Sequence, residues 1–248
     1  MKFKIGYATD PGPRKGENQD SLLASFLAGP PSAALLIISD GMGGAKAGER
    51  ASQEAVAVIE RELALTRSLP TRQNAAERLH EVIQATNSSI YRKAQSSPEL
   101  EGMGCTVVVA LVIDNVYWVA SVGDSRAYLL RNGDSYQLTD DHTWVNARVR
   151  EGILTPEQAA NHSLRHVLDR ALGTRPTVEV DVWPDEVLEP GDVLLLCTDG
   201  LYGVVDEQEI VEIATQHDAQ QAAELLVQRA LDASTRDNVS VVVFQVYD

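Results

Sequence analysis

Residues 35–44 read Leu-Leu-Ile-Ile-Ser-Asp-Gly-Met-Gly-Gly, an apolar run that stops at Asp40 and continues into glycines. A run of strand length that is rich in Leu and Ile is typical of a β-strand buried in a protein core. The carboxylate of Asp40 is therefore expected at the end of a core strand. Glycine has no side chain, so the backbone after Asp40 is free to turn sharply and to bring a carbonyl oxygen onto a cation.

The same arrangement, an aspartate beside an apolar run of strand length, occurs at three more positions: Asp124, Asp199 and Asp237. Any one of these aspartates alone is typical of a strand end or a turn. Together, and with Asp20 added, they form a set of carboxylates that repel one another and lose hydration, so they need a compensating positive charge. Such hard oxygen ligands suit Mg²⁺ or Mn²⁺ better than zinc, and we predict a divalent metal centre.

The glycines after Asp40 also allow a second interpretation, a dinucleotide-binding loop between a strand and a helix. Three features argue against that loop. Lys46 occupies the third glycine position of the fingerprint, no lysine-hydroxyl pair forms a P-loop, and the strand ends in a carboxylate that would repel a pyrophosphate. A metal centre is the better interpretation.

Five short motifs follow one another in an order that resembles a known family: Asn18-Gln19-Asp20, Ser39-Asp40-Gly41-Met42-Gly43-Gly44, Gly123-Asp124-Ser125-Arg126, Cys197-Thr198-Asp199-Gly200 and Asp237-Asn238. The family is that of the metal-dependent protein phosphatases, the type 2C serine/threonine phosphatases, in their bacterial form. Each motif is short, but five of them in order make the resemblance specific. It extends from Ile5 to about Val246.

The resemblance implies an α+β fold, a four-layer α/β/β/α sandwich in which two mainly antiparallel sheets are flanked by paired helices. It also implies hydrolysis of phosphoserine and phosphothreonine on proteins at a dinuclear Mn²⁺ or Mg²⁺ centre, where a metal-bridging water attacks phosphorus without a covalent phosphoenzyme. The physical logic is general, because two cations about 3.5–4 Å apart clamp the attacking and leaving oxygens and lower the pKa of bound water.

The resemblance gives six residues of this chain a role at the ions. They are Asp40 as the bridging ligand, Asp199 and Asp237 as ligands of the first ion, Asp20 and the carbonyl of Gly41 beside the second, and Asp124 on a third, weaker ion. Asp40, Asp199 and Asp237 are therefore the expected catalytic carboxylates. Asp20 is expected to act on its ion directly or through a water.

The substrate phosphate is expected to need a cation from the protein, and here the chain departs from the family pattern. The family has an arginine three residues before the Asn of the first motif, whereas this chain has Lys15 there and Arg14 one residue earlier. Either Arg14 takes the role after a one-residue shift, or Lys15 supplies a point charge in place of the bidentate fork of an arginine. Two solvated loop cations are the remaining interpretation.

The proton donor for the leaving hydroxyl is also left open by the sequence. Some family members have a histidine directly after the Asp-Gly of the second motif, where this chain has Met42. His162 falls in the segment that resembles the family's flap over the site, and an imidazole has a suitable pKa for proton transfer. We predict that His162 contacts substrate or donates a proton, with a plain surface residue as the alternative, and that His142 is structural.

Length and pattern predict one catalytic domain over residues 1–248, with a flap subregion at about 146–174. Strands are predicted at 3–8, 21–27, 34–39, 106–113, 116–122, 127–131, 136–138, 177–183, 192–197 and 238–246. Helices are predicted at 45–65, 71–95, 206–215 and 218–232, with a mostly helical stretch at 142–172. The charged flap is either a solvated helical segment without a role in binding or the segment that selects phosphoprotein partners.

The formal net charge of −15 argues against nonspecific nucleic-acid binding, in which Lys and Arg dominate, and favours phosphorylated sites in basic surroundings. The two cysteines lie in strand-like runs, so reduced thiols are expected. No apolar run has the length needed to span a membrane. We expect a cytoplasmic monomer that acts on phosphorylated proteins, opposes a Ser/Thr kinase, and binds neither nucleic acid nor membrane.

Two other classes of function compete with this prediction. Aspartyl-phosphate phosphatases need a nucleophilic Asp followed two residues later by an acidic Asp, but Met42 and Leu201 stand at those positions. The non-enzymatic alternative is a catalytically weak or inactive phosphatase-like domain that binds phosphoproteins. Retention of the predicted aspartate ligands weighs against this alternative, whereas the departure at Lys15 keeps it open.

Overall fold

The computed structural model describes residues 1–13, 17–28, 32–64 and 70–248. Their strands are β1 (Lys2–Asp10), β2 (Asp20–Leu27), β3 (Ala33–Met42), β4 (Gly104–Cys105), β5 (Val107–Ile113), β6 (Val116–Val122), β7 (Arg126–Arg131), β8 (Asp134–Gln137), β9 (Asp181–Val187), β10 (Val193–Cys197) and β11 (Val239–Tyr247). Their helices are α1 (Ala45–Leu63), α2 (Ala75–Ala94), α3 (Trp144–Arg150), α4 (Pro156–Ala160), α5 (Asp199–Tyr202), α6 (Glu207–Gln216) and α7 (Ala219–Asp232). Among these helices, none combines the length and the apolar character that crossing a bilayer requires.

The strands form two antiparallel sheets that pack face to face. One sheet has the order β1-β11-β10-β7-β8, and the other has the order β2-β3-β5-β6-β9 with β4 paired to β3. Helices α1 and α2 cover the outer face of the second sheet, and α6 and α7 cover the outer face of the first. A third group of apolar side chains fills the space between the sheets. The predicted four-layer α/β/β/α sandwich is confirmed.

Strand β3 shows why the core strands are apolar at every position. Leu35 and Ile37 pack against the helices, whereas Leu36 and Ile38 pack against the other sheet. Because both faces of the strand are buried, its sequence is a continuous apolar run rather than an alternating one. Strand β11 is built in the same way between α7 and the opposite sheet.

Strand pairing brings the predicted carboxylates to one edge of the sandwich. Strands β2 and β3 pair so that Asp20 lies directly opposite Asp40. Strands β10 and β11 are antiparallel neighbours. Asp199 follows the end of β10 and Asp237 precedes the start of β11, so both lie at the same end of the first sheet. Asp40 does not end its strand as predicted, because Gly41 and the residue after it pair with β4.

Two further predictions about secondary structure are wrong in extent. The stretch predicted as mostly helical contains the two short helices α3 and α4. Gly152 follows α3 with a φ of 71°, which ends the helix, and Thr155 begins α4 with a capping box. Strand β9 begins at Asp181 instead of 177. The backbone carbonyls of Pro176 and Val178 accept hydrogen bonds from side chains of α2, so this segment is bound to the helix rather than to the sheet.

Candidate metal centre and active site

Four of the predicted carboxylate ligands line one open cavity of about 930 Å³ at the sheet edge: Asp40, Asp124, Asp199 and Asp237. Residues 41–44 form one wall, residues 165–168 of the flap form another, and residues 234–236 form a third. Asp20 does not line the cavity and lies buried behind it, opposite Asp40. The structure therefore gathers carboxylates from four separate parts of the chain around one space.

Asp20 is held by hydroxyl groups from the opposite sheet. Its Oδ2 atom accepts hydrogen bonds from Thr198 Oγ1 at 3.0 Å and from Ser240 Oγ at 2.7 Å. Ser240 Oγ also shares a 2.8 Å hydrogen bond with Thr9 Oγ1. The Oδ1 atom of Asp20 is buried and has no hydrogen-bond partner in the described part of the chain. A buried carboxylate oxygen in this position is available to a cation or to a water that binds one.

Burial, and then mutual repulsion, makes the carboxylates less acidic. Burial raises the pKa of Asp20 to about 7, and the negative charges of Asp199 and Asp237 add to the rise. Burial, followed by the charge of Asp20, raises the pKa of Asp40 well above its ordinary value. Burial, followed by the charge of Asp199, raises the pKa of Asp124 to about 8. A positive charge placed in this cavity would therefore be stabilised by several carboxylates at once.

The donor set fits a hard divalent cation. Carboxylate oxygens and a backbone carbonyl are the ligands that Mn²⁺ and Mg²⁺ prefer, and neither zinc nor a soft metal is favoured by them. No three of the described Asp, Glu, His and Cys side chains surround a single point closely enough to hold an ion as they stand. The carboxylates instead face a shared space from the ends of different elements.

Thr106 fixes the backbone of Asp40. Its hydroxyl accepts a hydrogen bond from the Asp40 amide at 2.9 Å, and its own amide donates to the Asp40 carbonyl at 2.8 Å. The same hydroxyl shares a 2.7 Å hydrogen bond with the hydroxyl of Ser125. Thr106 therefore connects the strand that carries Asp40 with the turn that carries Asp124.

The turn that carries Asp124 consists of residues 123–126, and its first residue is bound by His142. The amide of Gly123 donates to Nδ1 of His142 at 3.0 Å. The ring proton is consequently on Nε2, which donates to the carboxylate of Asp181 at 2.9 Å. The ring is fully buried, and burial lowers the pKa of His142. A neutral, buried ring at this place is consistent with the structural role that the sequence predicts for His142.

The rest of the turn is bound by α5 and by the residue before His142. The hydroxyl of Tyr202 donates to the carbonyl of Asp124 at 2.8 Å. Arg126 forms two hydrogen bonds to Asp141, at 2.8 and 2.7 Å, and its guanidinium lies 3.6 Å from the centre of the Tyr202 ring. Because Asp199 and Tyr202 are the first and last residues of α5, these contacts fix the position of Asp124 relative to Asp199.

Asn238 anchors the segment that leads into β2. Its side-chain amide donates to the carbonyls of Pro11 and Glu17 at 2.9 and 3.0 Å, and its Oδ1 atom accepts from the amide of Gln19 at 2.9 Å. A Cβ atom at Gly200 would lie 2.0 Å from the carbonyl oxygen of Asn238, so this close packing requires a glycine. The second residue of the Asp-Gly pair in α5 therefore lets the helix approach the start of β11.

The predicted phosphate ligands Arg14 and Lys15 lie outside the described residues, so their role stays a prediction. The nearby Gln19 does line the cavity, and its carbonyl accepts from the amide of Gly41 at 3.0 Å. The segment that leads into β2 thus borders the same space as the aspartates.

The structure places the two flap histidines differently with respect to the cavity. The ring of His162 packs against the Trp144 ring with ring centres 5.2 Å apart and the planes tilted by 32°, and His162 is not among the described residues that line the cavity. His166 does line it, and its Nδ1 atom lies 3.8 Å from Oδ2 of Asp199. The predicted role of His162 stays a prediction, and His166 is a residue that the sequence analysis missed.

Sequence reasoning also missed the polar residues that hold the carboxylates in place: Thr106, Thr198, Tyr202 and Ser240. A signal was present for two of them, because Ser240 is the one polar residue in the apolar run 239–244 and Thr106 directly precedes the run 107–113. A hydroxyl at a buried position needs a hydrogen-bond partner and so indicates a polar neighbour. The contact of Tyr202 depends on how α5 packs, which no local pattern reveals.

Comparison with known proteins agrees with this arrangement. The family model of protein phosphatase 2C matches residues 15–152 and 184–239. The chain is 35% identical over 240 residues to the serine/threonine phosphatase stp of Listeria innocua, and the match covers 96% of this chain and 94% of that protein.

Solved structures give the same result. The serine/threonine phosphatase of S. agalactiae has a TM-score of 0.91 and 30% sequence identity, with 99% of this chain and 100% of that chain covered. The catalytic domain of the serine/threonine protein phosphatase PstP, in complex with two manganese ions, has a TM-score of 0.82 and 34% identity, with 99% of both chains covered. The chain therefore belongs to the protein phosphatase 2C family.

Proposed function

We propose that this chain hydrolyses phosphoserine and phosphothreonine on proteins, by direct attack of a water on phosphorus at a dinuclear Mn²⁺ or Mg²⁺ centre. Family membership and the named relatives give the reaction class, which is that of a metal-dependent protein serine/threonine phosphatase. The observation in the structure that supports the proposal is the cavity lined by four aspartates. No nucleophilic side chain is needed, since the attacking group is water.

The proposed ligand set is the one that the family resemblance implies. Asp40 would bind two ions, Asp199 and Asp237 would bind the first, Asp20 and the Gly41 carbonyl would lie beside the second, and Asp124 would bind a third, weaker ion. When bound, the two divalent cations lower the pKa of a coordinated water and offset the negative charge of the phosphoryl group. The chain itself contributes the fixed spacing of these oxygens, through the contacts of Thr106 with Asp40 and of Tyr202 with Asp124.

The remaining roles at the substrate are assigned to cations and imidazoles near the cavity. Arg14 or Lys15 is proposed to hold the substrate phosphate, because the segment that follows them borders the cavity at Gln19. Two histidines of the flap are proposed for substrate contact or proton transfer. His162 is proposed from its place in the flap, and His166 because it lines the cavity.

The proposed organisation is a single catalytic domain over residues 1–248 with a flap at about 146–174. An antiparallel bridge joins Thr143, which precedes the flap, to Leu168 within it. We propose that the protein acts in the cytoplasm as a monomer and opposes a Ser/Thr kinase, since its net charge of −15 favours solubility and disfavours self-association.

Hydrolysis of a phosphothreonine peptide by metal-stripped protein, with Mn²⁺, Mg²⁺ or no metal added, tests the proposal. We expect phosphate release only with metal, and a loss of about 10³-fold or more in Asp199→Asn, because one neutral amide cannot replace a charged ligand. Asp134→Asn is the matched control, since it makes the same chemical change at an exposed position outside the cavity.

The outcomes separate the proposed enzyme from an inactive binding domain. Metal-dependent release that collapses in Asp199→Asn and persists in Asp134→Asn would support the two-ion mechanism. No release with any metal, while calorimetry still detects Mn²⁺ binding and phosphopeptide binding, would contradict the enzymatic proposal and identify a phosphoprotein-binding domain instead.

A further inference from the structure

Two large apolar side chains are exposed in the wall of the aspartate cavity. Val167 is 45% exposed and Val204 is 37% exposed, and both line the same space as the four carboxylates. Val167 belongs to the flap, whereas Val204 follows α5, so the two side chains come from separate parts of the chain. A single exposed valine needs no explanation, but two of them bordering one cavity with four carboxylates give its wall two exposed apolar positions.

Both valines are held on fixed backbone. The amide of Val167 donates to the carbonyl of Leu164 at 3.0 Å, and its carbonyl accepts from the amide of Trp144 at 2.7 Å. The amide of Val204 donates to the carbonyl of Leu201 at 3.1 Å. A valine side chain also has one strongly restricted torsion angle. Ordering this surface on binding therefore costs little conformational entropy.

The position of the valines determines which molecule can cover them. A phosphoprotein whose phosphate reaches the carboxylates must lay the residues beside its phosphorylated side chain against the cavity wall, where Val167 and Val204 lie. A second copy of this chain is a poorer occupant, because two molecules with a net charge of −15 repel each other. Continuity with the cavity therefore favours the substrate peptide.

We infer that Val167 and Val204 form a subsite for an aliphatic side chain next to the phosphorylated residue of the substrate. This inference rests on the proposed phosphatase function. It assigns the enzyme a class of substrate, phosphorylated sites with a residue such as Leu, Ile or Met as a direct neighbour. Contact of that neighbour with two half-exposed valines removes part of its apolar surface from water, which favours the apolar peptide over a polar one by about three- to tenfold in kcat/KM.

The test compares two phosphothreonine peptides that differ only in the residues flanking the phosphothreonine, which are Leu in one and Ser in the other. The kcat/KM of each is measured with Mn²⁺ for the wild type, for V167T/V204T and for I153T. Threonine is close in shape to valine and replaces one methyl group by a hydroxyl, so the change removes apolar surface with little change of volume. Ile153 is the matched control, because it is 61% exposed on the flap and does not line the cavity.

We expect the wild type and I153T to prefer the Leu peptide by about three- to tenfold, and V167T/V204T to show a preference below about twofold. The ratio of the kcat/KM values for the two peptides is unaffected by a general loss of turnover in a variant. Thermal unfolding of each variant reports whether the fold is intact, and Val204→Ser alone is a second, milder probe should the double variant not fold.

Equal rates on the two peptides with the wild type would overturn the inference, as would an equal loss of preference in I153T. A concentration-dependent dimer of the wild type in light scattering, absent in V167T/V204T, would also overturn it in favour of self-association. Hydrolysis of a small aryl phosphate by the wild type distinguishes failure of the subsite from failure of the proposed phosphatase function. Hydrolysis of the ester with no peptide preference contradicts the subsite alone, whereas no hydrolysis of any substrate contradicts the proposed function as well.

Discussion

The turn at residues 123–126 and the flap residues 165–168 border the same cavity, but they are built in opposite ways. In the turn, the polar groups are buried, and they pair with His142, Tyr202 and Thr106 from three separate parts of the chain. In the flap wall, the backbone is bound, but the side chain of His166 is 60% exposed and Val167 is 45% exposed. The comparison indicates that the cavity has a fixed floor, which suits ions of strict geometry, and an accessible wall, which suits variable substrates.

The largest effect on stability is expected from Asp20→Asn, which removes a buried carboxylate behind the cavity. Burial raises the pKa of Asp20 to about 7, so the folded metal-free state binds this proton more tightly than the unfolded chain does. That contribution to stability is present at low pH and is lost as the pH rises from about 4 through about 7. At pH 8 the metal-free variant should be more stable than the wild type, by on the order of 3 kcal/mol in urea unfolding.

Bound metal should make the wild type more stable than Asp20→Asn if the carboxylates form a cation site. Saturating Mn²⁺ should stabilise the wild type strongly and Asp20→Asn weakly, because the variant has lost one of the charged groups around the ions. Asp134→Asn, at an exposed position, should match the wild type with and without Mn²⁺. Equal stability of Asp20→Asn and wild type at pH 8 without metal would show that the buried carboxylates do not destabilise the fold.

The second largest effect is expected from Thr106→Val, which breaks the connection between Asp40 and the turn. The Asp40 amide loses its acceptor at a partly buried position, which costs about 1–2 kcal/mol of unfolding free energy. Because Thr106 orients a predicted ligand rather than binding the ion, Mn²⁺ affinity should fall by about 10- to 100-fold in calorimetry. Thr106→Ser keeps the hydroxyl and should keep most of the affinity. Equal losses in both variants would assign the effect to the lost methyl group instead.

The comparison also explains how much the sequence could predict. The sheets were predictable because strands such as β3 are buried on both faces and read as continuous apolar runs, and the aspartates were predictable because they stand beside those runs. The residues that hold these aspartates in place were not predictable, because their contacts join distant parts of the chain. Asp20 and Thr198 are separated by 178 positions and meet only through the packing of two sheets. The flap was the least predictable part, because charged, exposed segments carry a weak periodic signal.

A smaller effect is expected from Tyr202→Phe, which removes one hydroxyl and leaves the ring under Arg126 in place. The carbonyl of Asp124 loses one hydrogen bond, which should cost about 1 kcal/mol. If Asp124 holds the proposed third ion, Mn²⁺ titration should show a selective loss at the weakest site, with the tighter sites unchanged. Tyr136→Phe is the control, because Tyr136 is exposed on β8. A uniform loss at every site would mean that the hydroxyl supports the whole centre rather than Asp124.

The smallest effect is expected on the wall, where His162 and His166 offer a direct comparison. Only His166 lines the cavity, so His166→Ala should lower kcat/KM on a phosphothreonine peptide by about three- to tenfold, and His162→Ala by less than about threefold. His162 contacts the Trp144 ring, and its loss should appear mainly as a slight fall in the melting temperature. A larger kinetic loss in His162→Ala than in His166→Ala, with the fold intact, would mean that the flap moves His162 to the substrate when it binds. The wall would then be a mobile part of the active site, and the contrast with the fixed floor would be one of dynamics as well as exposure.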